Sequence, residues 1–530
     1  MRLDELTAGL ATANASDESM AGADVAVEGL AYDSRGVRPG DLFFCVSGFQ
    51  SDGHRFAAQA VERGAAALVV ERRLGMSVPE VLVPSSREAM ARVAARFYGD
   101  PTAELGVVGI TGTNGKTTTA YLVRALLQAQ GIQCGLLGTV TSIIGGRERS
   151  VTRTTPEAID LQADFRAMLD GSDRACAMEV SSHALELGRS QGTHFAVAVF
   201  TNLSRDHLDF HATMEDYFQS KRRLFTGCSE RPAPGSDSVG LPAARPRACV
   251  INTGDAYGRR LAAELDDAIT FAVEEPADYG ASGVRCALNG CRFLLRAPGA
   301  ERQLALPMPG RFNVANALGA LAAARAMGGE LEALGDALER GVHVPGRFEP
   351  VDEGQDFAVI VDYAHTPDSL QNVLAAAREL TRADGGSGGR VVCVFGAGGD
   401  RDRGKRPLMG EIAARMADVA LVTSDNPRSE DPERIIAEVL HGAARVAHAD
   451  VRSTVERAEA IAQALALARR GDIVVIAGKG HEQGQELAGG RKVPFDDVTV
   501  ARRALAGLPA QPPGRDRARH QGGRPEGAPA

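Results

Sequence analysis

Lys116 and Thr117 lie in the run Thr111–Thr119, TGTNGKTTT, where the chain most plainly carries chemistry. One lysine and a row of hydroxyls after two glycines have the make-up of a phosphate-binding turn. The backbone N–H groups of Gly112–Lys116 can face a triphosphate, Lys116 can neutralise its β- and γ-phosphates, and the Thr117 hydroxyl can reach Mg²⁺. The common pattern G-x-x-x-x-G-K-[ST] needs glycine at 110; here Ile110 stands there, with Gly109 one residue early.

Four further clusters carry reactive side chains. Glu179, Ser181 and His183 follow a strand-like run, and ligands of open α/β sheets collect at strand carboxyl ends. Glu179 there suits Mg²⁺, which takes one or two carboxylates plus phosphate oxygens; a helix cap is the competing role. Asp206, His207, Asp209 and His211 crowd the loop Thr201–His211. His207-x-x-x-His211 without cysteines, near a phosphate loop, favours Mg²⁺-ATP chemistry over zinc. Lys221 precedes two arginines on a helical stretch. The plain reading is a solvated helix face; the other is an uncharged amine able to capture CO₂ as a carbamate, an anionic metal ligand. Lastly, Arg401, Asp425, Asn426, Arg428 and Glu482 follow strands near the end of the chain. Arginine grips carboxylates through paired N–H bonds and carboxylates hold ammonium groups, so the set suits a zwitterionic amino acid; the bland alternative is a surface ion-pair network.

These groups need elements to place them. Leu105–Ile110 is an apolar, β-branched run, and Leu122, Val123, Leu126 and Leu127 recur at helical spacing before Gly131. Strand, loop and helix thus frame Lys116. Strand-like runs alternate with helical patterns through most of the chain, which predicts an α/β fold of three domains. Residues 1–99 form a small α/β domain, and 100–343 a central phosphate-loop domain with a doubly wound sheet. Residues 344–508 form a C-terminal Rossmann-like domain with strands at Ala358–Asp362, Arg390–Phe395, Val419–Thr423 and Asp472–Ala477. Cys228–Arg247 reads as a mobile surface insertion and 509–530 as a disordered tail.

Composition narrows the classes. The 530 residues are 44% hydrophobic with net charge −9, and the pI of about 5.8 argues against a nucleic-acid binder. No signal peptide or membrane-length apolar run is evident. Eight scattered cysteines without C-x-x-C suit reduced, packing cysteines of a cytoplasmic protein. Only five lysines (116, 221, 405, 479 and 492) stand among 59 Lys and Arg residues, so a lysine marks a task unsuited to guanidinium, with Lys492 the chance retention.

TGTNGKTTT, EVSSH, TNLSRDHLDFH, VPGRFE, VDYAHTPDSL, FGAGGDRDRGKRP and AGKGHE occur in that order. Together they resemble the Mur ligases over about residues 25–505, with Asp425–Arg428 (DNPR) pointing to the diaminopimelate-adding branch. The resemblance implies an ATP-dependent, ADP-forming ligase of peptidoglycan precursor synthesis, monomeric and cytoplasmic, that binds UDP-MurNAc-dipeptide, ATP with Mg²⁺, and meso-diaminopimelate. It implies that Gly112, Thr113, Asn114, Gly115, Lys116, Thr117 and Thr118, with Asn252, Arg347 and Asp362, bind ATP. Tyr32, Ser34, Phe49, Gln50 and Ser51 contact the uridine nucleotide, and Thr154, Thr155, Ser181, Leu187 and Arg189 the rest of that substrate. Arg401, Asp425, Asn426, Pro427, Arg428, Gly478 and Glu482 hold diaminopimelate. Thr117, Glu179, His207 and Lys221 ligate the metal, with Lys116, Lys221 and His207 catalytic and Lys221 carbamylated. Arg153 and Leu187 replace a common Asn and Gln. The alternatives are a lysine-adding or folylpolyglutamate-type ligase, or an ATP-binding switch without ligase chemistry. Hinge motion is expected near 99–101 and 343–346.

Overall fold

The computed structural model describes residues 1–10, 24–48, 51–227, 245–382 and 388–507. Three sheets organise it. The first pairs Gly29–Ala31, Asp41–Phe44, Ala67–Val70 and Glu80–Leu82 in parallel. After the second strand come a 3₁₀ turn, Gly53–Phe56, and the helix Ala57–Glu62; the Asp52 side chain caps the turn through the His54 N–H.

The central sheet has eleven strands. Gly106–Thr111 lies between Ala175–Glu179 and Phe195–Phe200, parallel to both. Chain order reverses about this strand, so the loop leaving its carboxyl end opens at a topological switch point. Alternate residues face opposite layers: Val108 and Ile110 join one apolar cluster, Val107 the other. Such two-sided burial is why these strands read as unbroken apolar runs. Lys116–Ala129 follows as a helix that buries Leu122, Val123, Leu126 and Leu127, and Gly131 at φ +77° ends its exit turn.

Both edges of this sheet are antiparallel. Ser142–Ile144 and Arg147–Arg149 extend one side, Gly290–Ala297 and Ala300–Leu306 the other. Their turns contain Gly145-Gly146, Asn289-Gly290 and Pro298-Gly299, short-range hairpin signals that the α/β reading passed over. The first hairpin of the larger pair corrects the cysteine expectation. Cys286 and Cys291 face each other in register and form a disulfide. Cross-strand geometry made the pair, where C-x-x-C spacing gave no hint. Cys45, Cys134, Cys176, Cys249 and Cys393 are free and buried.

The third sheet runs Glu349–Pro350, Ala358–Asp362, Ile473–Ala477, Val391–Phe395, Val419–Val422 and Asp450–Ser453, parallel except for its first strand. Its loops lie against the central sheet: Asn114 Nδ2 donates to Asp368 Oδ2 at 2.7 Å, and Arg205 pairs with Asp402 at 3.4 Å. Residues 228–244 of the expected insertion and the tail at 509–530 lie outside the described residues. Among the described residues no helix is long and apolar enough to cross a membrane.

Candidate active site

The phosphate-loop glycines are set by collision. Gly112 has φ +151° and Gly115 φ +85°. A Cβ on Gly112 would strike Thr201 Oγ1, and one on Gly115 would strike Asn316 Oδ1. Gly109 answers a different need: inside the strand, its Cβ would overlap the Phe195 ring. Position 110 needs no glycine, because Ile110 packs in the core.

Lys116 Nζ donates to the carbonyls of Gly112 and Thr113 at 2.9 and 2.8 Å. Burial lowers its pKa, with Glu179 acting the other way. Thr117 Oγ1 donates to Glu179 Oε1 at 3.0 Å and accepts from Arg347 Nη2 at 2.9 Å. Glu179 also accepts from the Thr139 N–H at 2.8 Å and from Thr139 Oγ1 at 3.1 Å. It does not cap the following helix; Ser181 does, accepting from the Ala184 N–H.

Lys221 overturns the solvated-face reading. It is 1% exposed on the helix Met214–Thr226. Its Nζ donates to the Gly112 carbonyl at 2.8 Å and lies 4.7 Å from the Tyr217 ring centre. Burial, then the charge of Lys116, pushes its pKa well below that of an ordinary lysine. Both effects bias the amine toward its uncharged, nucleophilic form.

His207 has φ +55°, and its Nε2 lies 3.4 Å from Asp206 Oδ2. Burial keeps this imidazole below its usual pKa, against the pull of Asp206. His211 turns away: its Nε2 is 2.9 Å from Ser182 Oγ and its ring stacks on Tyr217. Asp206 also faces His365 and Lys405, both at 3.8 Å, across the gap to the third sheet. Among the described residues no three His, Cys, Asp or Glu side chains converge on a metal position.

One cavity of about 600 Å³ joins most of the expected set. Thr113, Asn114, Gly115, Lys116, Thr117, Thr118, Glu179, His207, Lys221, Asn252, Arg347 and Asp362 line it, with Thr154, Thr155, Ser181, Arg189 and Arg401. Asn252 Nδ2 donates to the Thr201 carbonyl, and both Asp362 oxygens accept backbone N–H groups, of Phe348 and Ala364. Thr155 Oγ1 donates to the Glu179 carbonyl, and Arg189 pairs with Glu157 at 2.9 Å. Arg153 pairs with the same Glu157 oxygen at 3.0 Å and also lines the cavity. Thr139, Phe271 and Phe312 line it without having been singled out; Thr139 follows a strand, Cys134–Leu137, that the sequence reading missed.

Other expected residues lie apart from the cavity. Tyr32 donates to Asp160 Oδ2 at 2.7 Å and Ser34 to Gln59 Oε1 at 2.7 Å, beside the first sheet. Ser51 is exposed, and Leu187 ends the short helix Ser182–Glu186. Phe49 and Gln50 lie outside the described residues. Asp425, Asn426, Pro427, Arg428, Gly478 and Glu482 form a second cluster. Asn426 Nδ2 donates to Glu482 Oε2 at 2.8 Å, and Arg428 Nε to Glu486 Oε2 at 3.0 Å. Pro427 is buried, its carbonyl accepting from the Glu430 N–H. Gly478 has φ +119°, and a Cβ there would press on Asp425 Oδ2 at 2.9 Å.

Three family models match the chain in succession: the Mur ligase family catalytic domain at 26–98, the Mur ligase middle domain at 110–324 and the Mur ligase glutamate ligase domain at 346–480. A relative from Geobacillus thermodenitrificans is 46% identical over 480 residues, 90% of this chain and 94% of its own length. The chain belongs to the Mur ligase family. That relative is named UDP-N-acetylmuramoyl-L-alanyl-D-glutamate–2,6-diaminopimelate ligase. A solved structure of an enzyme of the same name superposes with TM-score 0.61 at 34% identity, covering 91% of this chain and 95% of that one. MurF from Acinetobacter baumannii shares the Mur ligase fold, with TM-score 0.61 at 18% identity over 91% of this chain and 93% of its own.

Proposed function

We propose that this Mur ligase joins meso-2,6-diaminopimelate to the D-glutamate γ-carboxylate of UDP-MurNAc-L-Ala-D-Glu, with ATP converted to ADP and phosphate, in peptidoglycan precursor synthesis. One observation carries the reading: the phosphate loop, the Thr154–Thr155–Ser181–Arg189 wall and Arg401 share a single cavity. An acid, a triphosphate and the approach of an amine can therefore meet in one enclosed volume. The relatives' shared name supplies the substrates.

The γ-carboxylate attacks the γ-phosphorus of ATP, and ADP leaves with the bridging oxygen. The amine of diaminopimelate then attacks the acyl phosphate carbonyl, and the tetrahedral intermediate expels phosphate. Lys116 loses its two loop carbonyls to the β- and γ-phosphates and spreads the charge of phosphoryl transfer. Arg189 and the hydroxyls of Thr154 and Thr155 hold the muramyl dipeptide with its carboxylate toward the loop. Tyr32, Ser34 and the segment 49–51 hold the uridine end, and Asn252, Arg347 and Asp362 border the nucleotide.

A Mg²⁺ fits the Thr117–Glu179 pair. Both offer oxygen donors, and the position already attracts a cation, the Arg347 guanidinium. Mg²⁺ completes its shell with phosphate oxygens and water, so three converging protein ligands are not required. Thr117, Glu179, His207 and a carbamate on Lys221 would hold it, and when bound it would neutralise phosphate charge. In its uncharged form, which burial favours, the Lys221 amine takes CO₂ to give the carbamate and one released proton.

The reading divides the chain into a muramyl-nucleotide domain (1–99), an ATP domain (100–343) and an amino-acid domain (344–508), with closure about 99–101 and 343–346. It takes the enzyme as a cytoplasmic monomer. The test is phosphate release from ATP with UDP-muramyl dipeptide and either meso-diaminopimelate or lysine. Release that requires both the dipeptide and diaminopimelate supports the reading. Release with lysine alone as the amine, or none at all, refutes it.

A further inference from the structure

Two of the chain's buried lysines, Lys405 and Lys479, have no part in the reaction above. Lys479 is the more constrained, at 0% exposure. Its Nζ donates to Asn426 Oδ1 and Glu482 Oε2, each at 2.9 Å, and lies 3.6 Å from Asp425 Oδ1. One ammonium thus touches three side chains of the second cluster. It also fixes the Asn426 amide. Oδ1 accepts from Lys479 and from the Glu486 N–H at 2.9 Å, which leaves Nδ2 facing Glu482. The two ends of an amide have nearly the same shape, so only such partners decide which points where. Three diverging acceptors around one point suit a compact three-donor ammonium and not a planar guanidinium.

The cluster is also incomplete. Among the described residues Asp425 Oδ1 and Arg457 Nη1 have no hydrogen-bond partner, though both residues are more than nine-tenths buried. They border the bare backbone of Gly478, whose absent Cβ would lie 2.9 Å from Asp425 Oδ2 and 3.9 Å from Arg457 Nη1. The rest of Arg457 is spent on a bidentate pair with Asp497, at 2.8 and 2.7 Å. Burial alone would raise Asp425, yet Lys479 and Arg457 hold its carboxyl below the usual range. Asp425 Oδ1, an ion-pair distance from Lys479, and Arg457 Nη1 thus keep unused hydrogen-bonding capacity of opposite charge within one cluster.

We propose that Lys479 is a positioning residue for amino-acid selection: it orients Asn426 and holds Asp425 and Glu482 in place, so that the cluster favours a zwitterionic end group over a lone ammonium. This rests on the reading of the cluster as the diaminopimelate site. It explains why a lysine is kept at 479 in a chain that otherwise uses arginine.

The experiment measures phosphate release by wild type, Lys479→Met and Lys479→Gln, with meso-diaminopimelate and with lysine as the amine. Loss of charge-assisted bonds predicts a rise in the KM for diaminopimelate of roughly 10- to 100-fold in Lys479→Met. The KM values for ATP and UDP-muramyl dipeptide stay near those of wild type, and the preference for diaminopimelate over lysine falls. Lys479→Gln, which keeps a donor for Asn426 or Glu482, recovers part of the preference. If wild type shows no diaminopimelate-dependent release, the functional reading itself fails. If wild type is active but Lys479→Met keeps its KM and preference, the inference alone falls. An equal rise in all three KM values, or two variants that do not fold, assigns Lys479 to the fold and overturns it.

Discussion

Lys116 Nζ and Lys221 Nζ donate to one atom, the carbonyl oxygen of Gly112, at 2.9 and 2.8 Å. Two ammonium ions so placed repel each other, and Lys221, at 1% exposure, gives up its proton more readily. The pairing at this carbonyl therefore favours one cation and one uncharged amine, the division of roles that the positions of Lys116 and Lys221 in the sequence suggest.

Lys221→Ala removes the amine that would carry the carbamate. Activity should fall by about 10²-fold or more, as when a charged group aimed at a transition state is lost. Added formate or acetate should restore part of it by supplying a carboxylate in the vacated space. Full activity without those acids would rule the carbamate out.

Glu179 orders Thr117 and Thr139 through three hydrogen bonds. Glu179→Gln keeps the shape and removes the charge. The Mg²⁺ concentration for half-maximal activity should rise by about tenfold or more. A Mg²⁺ titration at saturating ATP reads this directly.

Gly346 has φ +65°, and a Cβ there would collide with the backbone nitrogen of His481. Gly346 stands just before Arg347, so only a residue without a Cβ fits the turn that delivers the guanidinium to the site. Gly346→Ala should cost about 1–3 kcal/mol of stability or more, seen as a lower denaturation midpoint, together with a higher KM for ATP.

His481 is pushed down to about 3 by burial, from an ordinary value of 6.5. A depressed folded pKa means that its contribution to stability is complete above 6.5 and fades as pH falls toward 3. Urea midpoints at descending pH should drop across that window. His481→Gln should show a shallower decline; an identical decline would place the effect elsewhere.

The Cys286–Cys291 bond closes a short loop on a hairpin, and neither cysteine lines the cavity. Chain entropy for so short a loop amounts to about 2 kcal/mol. Reduction should lower the thermal midpoint modestly and leave the rate of phosphate release unchanged.

What could be read in the sequence follows from how local each signal is. The phosphate loop was legible because glycines, lysine and threonine are adjacent and a strand and helix flank them. The loops after Ala175–Glu179 and Phe195–Phe200 were legible because their strands are short, apolar and buried on both faces. For Lys221 the solvated-face reading fails, and the spacing held the reason. It falls four residues after Tyr217 and three before Leu224, both buried, and so lies on the apolar stripe. The hairpins at 142–149 and 279–306 escaped because strands such as Arg147–Arg149, Gly290–Ala297 and Ala300–Leu306 carry charged residues that break the apolar run. The closure of Asp425, Asn426 and Glu482 around Lys479 depends on segments some fifty residues apart, which no local spacing encodes.

The same scarcity of lysine leaves the surface nearly free of primary amines. Lys221, Lys405 and Lys479 are buried and Lys116 is half-buried, so Lys492 is the one fully exposed ε-amine. It lies on the strand Lys492–Pro494, directly opposite Glu486, the partner of Arg428. An amine-reactive fluorophore should therefore attach at Lys492 and the chain's α-amino group, and the first would place a reporter beside the Arg428–Glu486 pair, without any engineered cysteine.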